Sequence, residues 1–188
     1  ITSGGVSVGE ADHTKAMMKK LGDVAFWRIA MRPGRPMAVG RIPPSGRQVV
    51  AESAAGAHAE SAISYLNHSA GAVLFGLPGN PVAVMVTFLA FVRPALLRMM
   101  GARPQPDVLL RAASEEPMRK KPGRTEYQRG IVTRHADGTL TVRTTGNQGS
   151  GVLSSMVQAN GLIVLGHAHG NVAVGDAVSV LMFDGALG

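Results

Sequence analysis

Hydrophobic positions change their spacing near residue 106 of this 188-residue chain. Before that point, strand-like and helix-like spacings alternate. Residues 12–21 predict a helix, with Ala16, Met17, Lys20 and Leu21 at helical spacing and Gly22 as its stop. Residues 24–32 predict a strand that places Trp27, Ile29 and Met31 on one face and Phe26, Arg28, Ala30 and Arg32 on the other. Residues 37–39 predict a short returning strand, which closes a hairpin around residues 33–36. Residues 72–77 predict an apolar strand. In Pro78-Gly79-Asn80-Pro81, Asn80 is suited to cap a helix and Pro81 to open it. That helix extends to about Met100. It is apolar on nearly all sides and so expected to be buried, with a kink at Pro94 and Gly101 as its end.

Beyond residue 106 the pattern becomes one of short alternating runs, at 108–112, 128–134, 139–144, 162–165 and 178–183. Asp137-Gly138 is a hairpin signal between two of them. Ser154 to Asn160 predicts a turn or two of helix closed by Gly161. The organisation expected is an α/β domain over residues 1–101, a linker at 102–106, and a small, mostly β domain over 107–188, barrel or sandwich. Within the first part, residues 41–71 are rich in Pro, Ser, Gly, Ala and His and read as an exposed insertion. Ile1-Thr2-Ser3 reads as the end of a strand that begins before the chain does.

Composition narrows the chemistry. Hydrophobic residues make up 45% of the chain, the share of a folded protein. No cysteine is present, which excludes disulfides, thiolate catalysis and Cys-ligated zinc and is compatible with a reducing cytoplasm. No targeting signal is visible, and the longest apolar run, 82–92, falls short of the roughly 20 residues of a spanning helix. No membrane contact is therefore expected. The net charge of +7 is uneven: eleven Lys/Arg stand against five Asp/Glu in residues 1–106, and eight against seven in residues 107–188. A basic first part fits an oxyanionic or phosphate-bearing ligand, or nucleic acid. Aromatic residues at 4% leave little for base stacking, so nucleic acid is the least favoured of these.

Three places have chemical meaning. In Arg32-Pro33-Gly34-Arg35-Pro36, Pro and Gly occupy the second and third positions of a type II turn, which brings the two arginines within about 7 Å at Cα. Guanidinium groups so placed suit an anion between them, although such turns also decorate plain surfaces. Gly4-Gly5-Val6-Ser7-Val8-Gly9 lies between a strand and a helix. Gly4, Gly5 and Gly9 would let backbone N–H groups approach a phosphate, with Ser7 adding a hydroxyl; the alternative is a structural turn. Asp12 then either caps the helix or binds Mg²⁺ beside phosphates. Ser150, in Gly146-Asn147-Gln148-Gly149-Ser150-Gly151, is either a plain loop residue or a donor to an oxyanion. His167 and His169 alternate, but no third metal ligand accompanies them.

The order of these pieces resembles the molybdopterin molybdenumtransferase family (MoeA and the gephyrin E domain). The resemblance rests on residues 3–12, on Phe26 to Pro36 with its RPGRP corner, on Phe75-Gly-Leu-Pro-Gly-Asn-Pro81, on Gly123-Arg-Thr-Glu-Tyr-Gln-Arg129-Gly130, and on Gly146 to Ser150. It spans nearly the whole chain outside 41–71, which has no counterpart in shorter members. It implies the C-terminal part of an enzyme of molybdenum cofactor biosynthesis. Such an enzyme inserts molybdate into adenylylated molybdopterin with Mg²⁺ and releases AMP. Two N-terminal domains and the start of the α/β domain would lie outside this chain. The resemblance implies molybdate contacts from Arg32, Arg35, Pro36, Arg129 and Ser150, and catalytic roles for Asp12, Arg28, Arg32 and Ser150. It also implies molybdopterin or phosphate contacts from Gly4, Gly5, Ser7, Gly9, Pro78, Gly79 and Asn80, Mg²⁺ at Asp12, a cytoplasmic homodimer, and small-molecule substrates. Arg stands at positions 32 and 35 where members often carry Lys, which keeps charge and changes geometry. Two rivals share the resemblance: molybdopterin adenylylation, which the trailing β domain disfavours, and a non-enzymatic scaffold of the gephyrin type.

Overall fold

The computed structural model describes Met18, Lys20 and residues 22–43, 71–103 and 105–183. Gly4, Gly5, Ser7, Gly9 and Asp12 lie outside the described residues, as do most of the helix expected at 12–21 and residues 44–70 of the expected insertion. The chain divides into two compact units. One holds the described residues up to Arg28 together with Pro36–Gly79; the other holds Ile29–Arg35 and everything from Asn80 onward.

In the first unit, β1 (Asp23–Arg28), β3 (Pro36–Ile42) and β4 (Ala72–Gly76) form an antiparallel sheet in the order β1-β3-β4. Val24 and Ala38 are buried, with Met18, Phe26 and Leu74 packed against them. The hairpin expected around 33–36 exists, but its first strand ends at Arg28 rather than Arg32. The register Arg28↔Pro36 leaves Ile29–Arg35 as a seven-residue connection. The returning strand is longer than expected and takes in Arg41 and Ile42, which the compositional reading had placed in the insertion.

In the second unit, that connection supplies β2 (Met31–Arg32), which lies parallel to β6 (Thr125–Arg134). The Arg32–Pro33 peptide is cis, and Gly34 takes the positive φ expected of it, 93°. A Cβ on Gly34 would meet the Thr87 hydroxyl and the Ala83 carbonyl. The segment thus sits tightly on helix α1 (Pro81–Thr87).

Helix α1 begins as its sequence asks: the Asn80 side chain accepts the Ala83 N–H at 3.4 Å, and Pro81 opens the first turn. Phe88–Val92 is π-helical and leads into α2 (Arg93–Met99). The disturbance therefore comes just before Pro94, which has no N–H to continue the ladder. At the far end Gly101, φ 84°, donates to the Arg98 carbonyl and Ala102 to that of Leu97, a Schellman closure. The expectation that this helix is buried all round is corrected. Val82, Ala83, Val86, Thr87 and Val92 are buried, whereas Met85, Phe88, Phe91, Leu96 and Met99 are exposed. The apolar residues on the second face outrun what the unit's core covers. The 19-residue span Pro81–Met99 is long and apolar enough by length and composition to cross a membrane, yet its buried face packs in a core shared with Met31, Met156 and Leu162.

The remaining strands settle the choice between barrel and sandwich. With β5 (Leu109–Ser114), β7 (Leu140–Thr144), β8 (Gly161–Leu165) and β9 (Ala177–Met182), the order β6-β7-β5-β9-β8 closes through a further β6–β8 pairing. This is a five-stranded barrel filled by Ala112, Met118, Val132, Val142, Ile163, Leu165, Val178 and Val180. The Asp137-Gly138 turn is present: Gly138 has φ 85°, and the Asp137 carboxylate accepts from the Thr139 N–H and hydroxyl. Helix α3 (Ser154–Gln158) is shorter than expected, and Gly161 begins β8 rather than capping the helix.

Candidate functional site

Strand β6 is the axis of the site. β8 runs along one of its edges from Glu126 to Gly130. The other edge is divided: β2 takes Thr125 and Glu126, and β7 takes Gly130 to Arg134. Between the two partners stand Tyr127, Gln128 and Arg129, and there a cleft of about 360 Å³ opens. Glu126–Arg129 line it from β6, and Arg32 and Pro33 from the β2 end. Thr144, Gly146 and Gln148 close it from β7 and the loop beyond, and Glu116–Arg119 from the segment after β5.

Arg129 is buried, 1% exposed, beneath this opening. Its Nε donates to Ser155 Oγ at 2.9 Å, and Nη2 donates to the carbonyls of Gly149 at 3.0 Å and Asn147 at 3.4 Å. The guanidinium therefore ties the glycine-rich loop and α3 to β6. Gln148 completes the tie. Its Oε1 accepts the Arg129 N–H at 2.8 Å, and its Nε2 donates to the Arg129 carbonyl at 3.1 Å. One side-chain amide thus serves the strand edge as a neighbouring strand would.

The electrostatics favour an anion. Burial, and then the neighbouring Arg32 charge, pull Arg129 below the ordinary arginine pKa. A negative ligand beside both would relieve each effect. The two carboxylates that line the cleft are engaged. Glu126, buried, accepts from Arg124 Nε at 2.9 Å and from Gln128 Nε2 at 3.5 Å. Glu116 Oε1 accepts the Thr144 N–H at 2.7 Å. Arg32 and Arg119, both exposed, make no side-chain hydrogen bond or ion pair with other described residues.

Of the residues expected at the site, Arg32 and Arg129 come together in the cleft. Arg35 and Ser150, in the same unit, are exposed and outside its lining. Arg32 is neighboured by Arg129, because pairing with β6 sets residues 31–32 alongside residues 125–126. Arg28 and Pro36 face each other in the β1–β3 register of the first unit. Pro78 is buried and Gly79 exposed in that unit, and Asn80 caps α1. His167 and His169 are exposed, and His169 Nδ1 accepts the Gly166 N–H. Ser155, Gln148, Glu126 and Arg119 were not anticipated. The only sequence sign of the first two is polar side chains on either side of a glycine loop.

Residues 1–98 match a probable molybdopterin binding domain, and residues 111–183 match the MoeA C-terminal region, domain IV. A molybdopterin molybdenumtransferase of Haemophilus influenzae is 36% identical over 189 residues, covering 100% of this chain and 40% of the relative. Gephyrin of Dictyostelium discoideum is 31% identical over 97% of this chain and 25% of its own. A solved molybdenum cofactor biosynthesis protein of Pyrococcus furiosus superposes with a TM-score of 0.57 at 25% identity, over 95% of this chain and 56% of that one. The chain spans 40% or less of the length of these two curated relatives. With one description matching over half of its residues and the other most of the rest, the chain belongs to the MoeA family, joining a probable molybdopterin binding domain to the MoeA C-terminal region.

Proposed function

We propose that this chain is the molybdate-handling part of a molybdopterin molybdenumtransferase, which inserts molybdate into adenylylated molybdopterin and releases AMP. The observation that carries this reading is the meeting of Arg32 and Arg129 in one cleft, with Arg129 locked from beneath and Arg32 unengaged. A tetrahedral dianion suits that pair, since guanidinium N–H groups form forks and keep their charge when desolvated. Arg35, Pro36 and Ser150 would complete the molybdate set, with Arg28, Arg32, Ser150 and Asp12 carrying the catalytic roles. Gly4, Gly5, Ser7, Gly9, Pro78, Gly79 and Asn80 would hold the phosphates of the larger substrate. Among the described residues no group of three His, Cys, Asp or Glu is placed to hold a metal. Mg²⁺ thus rests on Asp12 alone, and no step is assigned to it. The reading includes a domain boundary at 102–106, between the two matched regions, and a cytoplasmic, homodimeric setting.

Isothermal titration with molybdate and tungstate, against sulfate as control, tests the site. Arg32→Ala is expected to weaken molybdate about tenfold, the size of one charge-assisted hydrogen-bond pair. Equal affinity for sulfate, or an unchanged affinity in the variant, sinks the reading. Turnover of the full-length protein separates enzyme from scaffold: its loss in Arg35→Ala supports the transferase, and full retention supports the scaffold.

A further inference from the structure

The cleft is larger than a small oxyanion requires. At about 30 Å³ per water in the liquid, its 360 Å³ would take about a dozen waters, against the five heavy atoms of a tetrahedral oxyanion. It also carries a cation that the oxyanion reading leaves unused. Arg119 stands on a fixed mount: the N–H and C=O of Met118 exchange hydrogen bonds with Val172, and the Lys120 N–H donates to Asn171 Oδ1. Met118 and Lys120 are buried on either side, so the extended chain turns Arg119 outward into the cleft. Lys120 Nζ, bonded to the carbonyls of Lys121 and His169, holds that alternation in place.

Arg119 and Arg32 reach the cleft from different segments. Arg32 comes from β2, beside Glu126, whereas Arg119 follows Glu116, which is held at Thr144, and stands between Met118 and Lys120, which are held at Val172 and Asn171. Glu116 and Glu126 add negative charge to the lining, and each already has its partner. They confine a bound anion's charge to the places where an unengaged guanidinium stands.

We propose that the cleft takes a two-ended anion: one end at Arg32 and Arg129, and a second group of the phosphate class at Arg119. Arg119 is then a specificity-determining residue that selects a phosphate-bearing substrate over a lone oxyanion. This rests on the oxyanion reading of the Arg32 end.

The test is titration of the whole chain with inorganic tripolyphosphate, orthophosphate and molybdate. Arg119→Ala should weaken tripolyphosphate about tenfold while leaving the two single-ended anions within about twofold, and Arg119→Lys should restore part of the loss. Tripolyphosphate should also displace molybdate, because the two share Arg32. The proposal is overturned if the wild-type chain binds no tripolyphosphate, if Arg119→Ala leaves its affinity unchanged, or if all three anions weaken equally. Failure of molybdate alone to bind, with tripolyphosphate still dependent on Arg119, removes the molybdate assignment and keeps the two-ended cleft.

Discussion

Arg129 lines the cleft and is also anchored from beneath it. Its Nε and Nη2 are committed to Ser155, Asn147 and Gly149, and its backbone is gripped by Gln148. Arg129→Met keeps much of the volume and removes the donors. The two carbonyls then lose their partner inside the protein, at about 1–3 kcal/mol for each buried group left unmade. Urea denaturation should show Arg129→Met less stable by about 2–6 kcal/mol on that basis. A loss below about 0.5 kcal/mol would mean that water takes over the carbonyls. The sequence reaches this residue's identity through its motif but not its manner of working. A lone arginine within an alternating run reads as surface, yet Gln128, Arg129 and Gly130 are buried in succession. That happens where α3 and the glycine loop cover a strand face that its own alternation marks as exposed. Such cover is a long-range fact, absent from local spacing.

At the scale of elements, the 29–35 connection and helix α1 fit only because Gly34 lacks a side chain. Its φ of 93° disfavours any L residue, and an added Cβ would press on Thr87 and Ala83. Gly34→Ala should cost about 1–3 kcal/mol through the backbone term alone and should also weaken molybdate binding by displacing Arg32, both readable by melting and titration. Thr87 is the opposite case. It is fully buried, and among the described residues its hydroxyl has no hydrogen-bond partner. Thr87→Val removes an unpaired polar atom at constant shape and should leave stability unchanged or raise it by up to about 1 kcal/mol; a clear fall in Tm would show that the hydroxyl has a partner after all. Asn80→Ala, which removes the cap on α1, should cost about 1 kcal/mol, seen as an earlier melt. Most elements were legible here: Asn80-Pro81, Asp137-Gly138 and Gly101 mark their turns and caps by chemistry that needs no tertiary partner. β2 was not legible. Met31 and Arg32 have a strand's alternation, but nothing local says that they leave β1's sheet to pair with residues almost a hundred positions later. The free apolar face of the long helix was hidden for a related reason, since hydrophobicity alone does not tell which side is covered.

At the scale of the whole molecule, the described residues of the two units form very different cores. Among the described residues, the first joins buried Val24 and Ala38 to three partly covered neighbours, in a three-stranded sheet whose outer strands are β1 and β4. The second has nine buried residues in the barrel and five more from β2, α1, α3 and β8, and the barrel strands close on themselves. Each buried aliphatic side chain contributes about 1.5–3 kcal/mol. Local stability follows local burial and pairing, so the smaller core that the described residues form predicts a lower opening free energy for the small sheet. Native-state hydrogen exchange should therefore find the amides of β3, central in the first sheet, exchanging at least about a hundredfold faster than those of β8, which is paired on both edges. Adding denaturant should bring the first set into a separate, earlier opening. If β3 and β8 instead exchange together with one shared dependence on denaturant, the chain unfolds as a single cooperative body, and the small core draws its stability from the larger one.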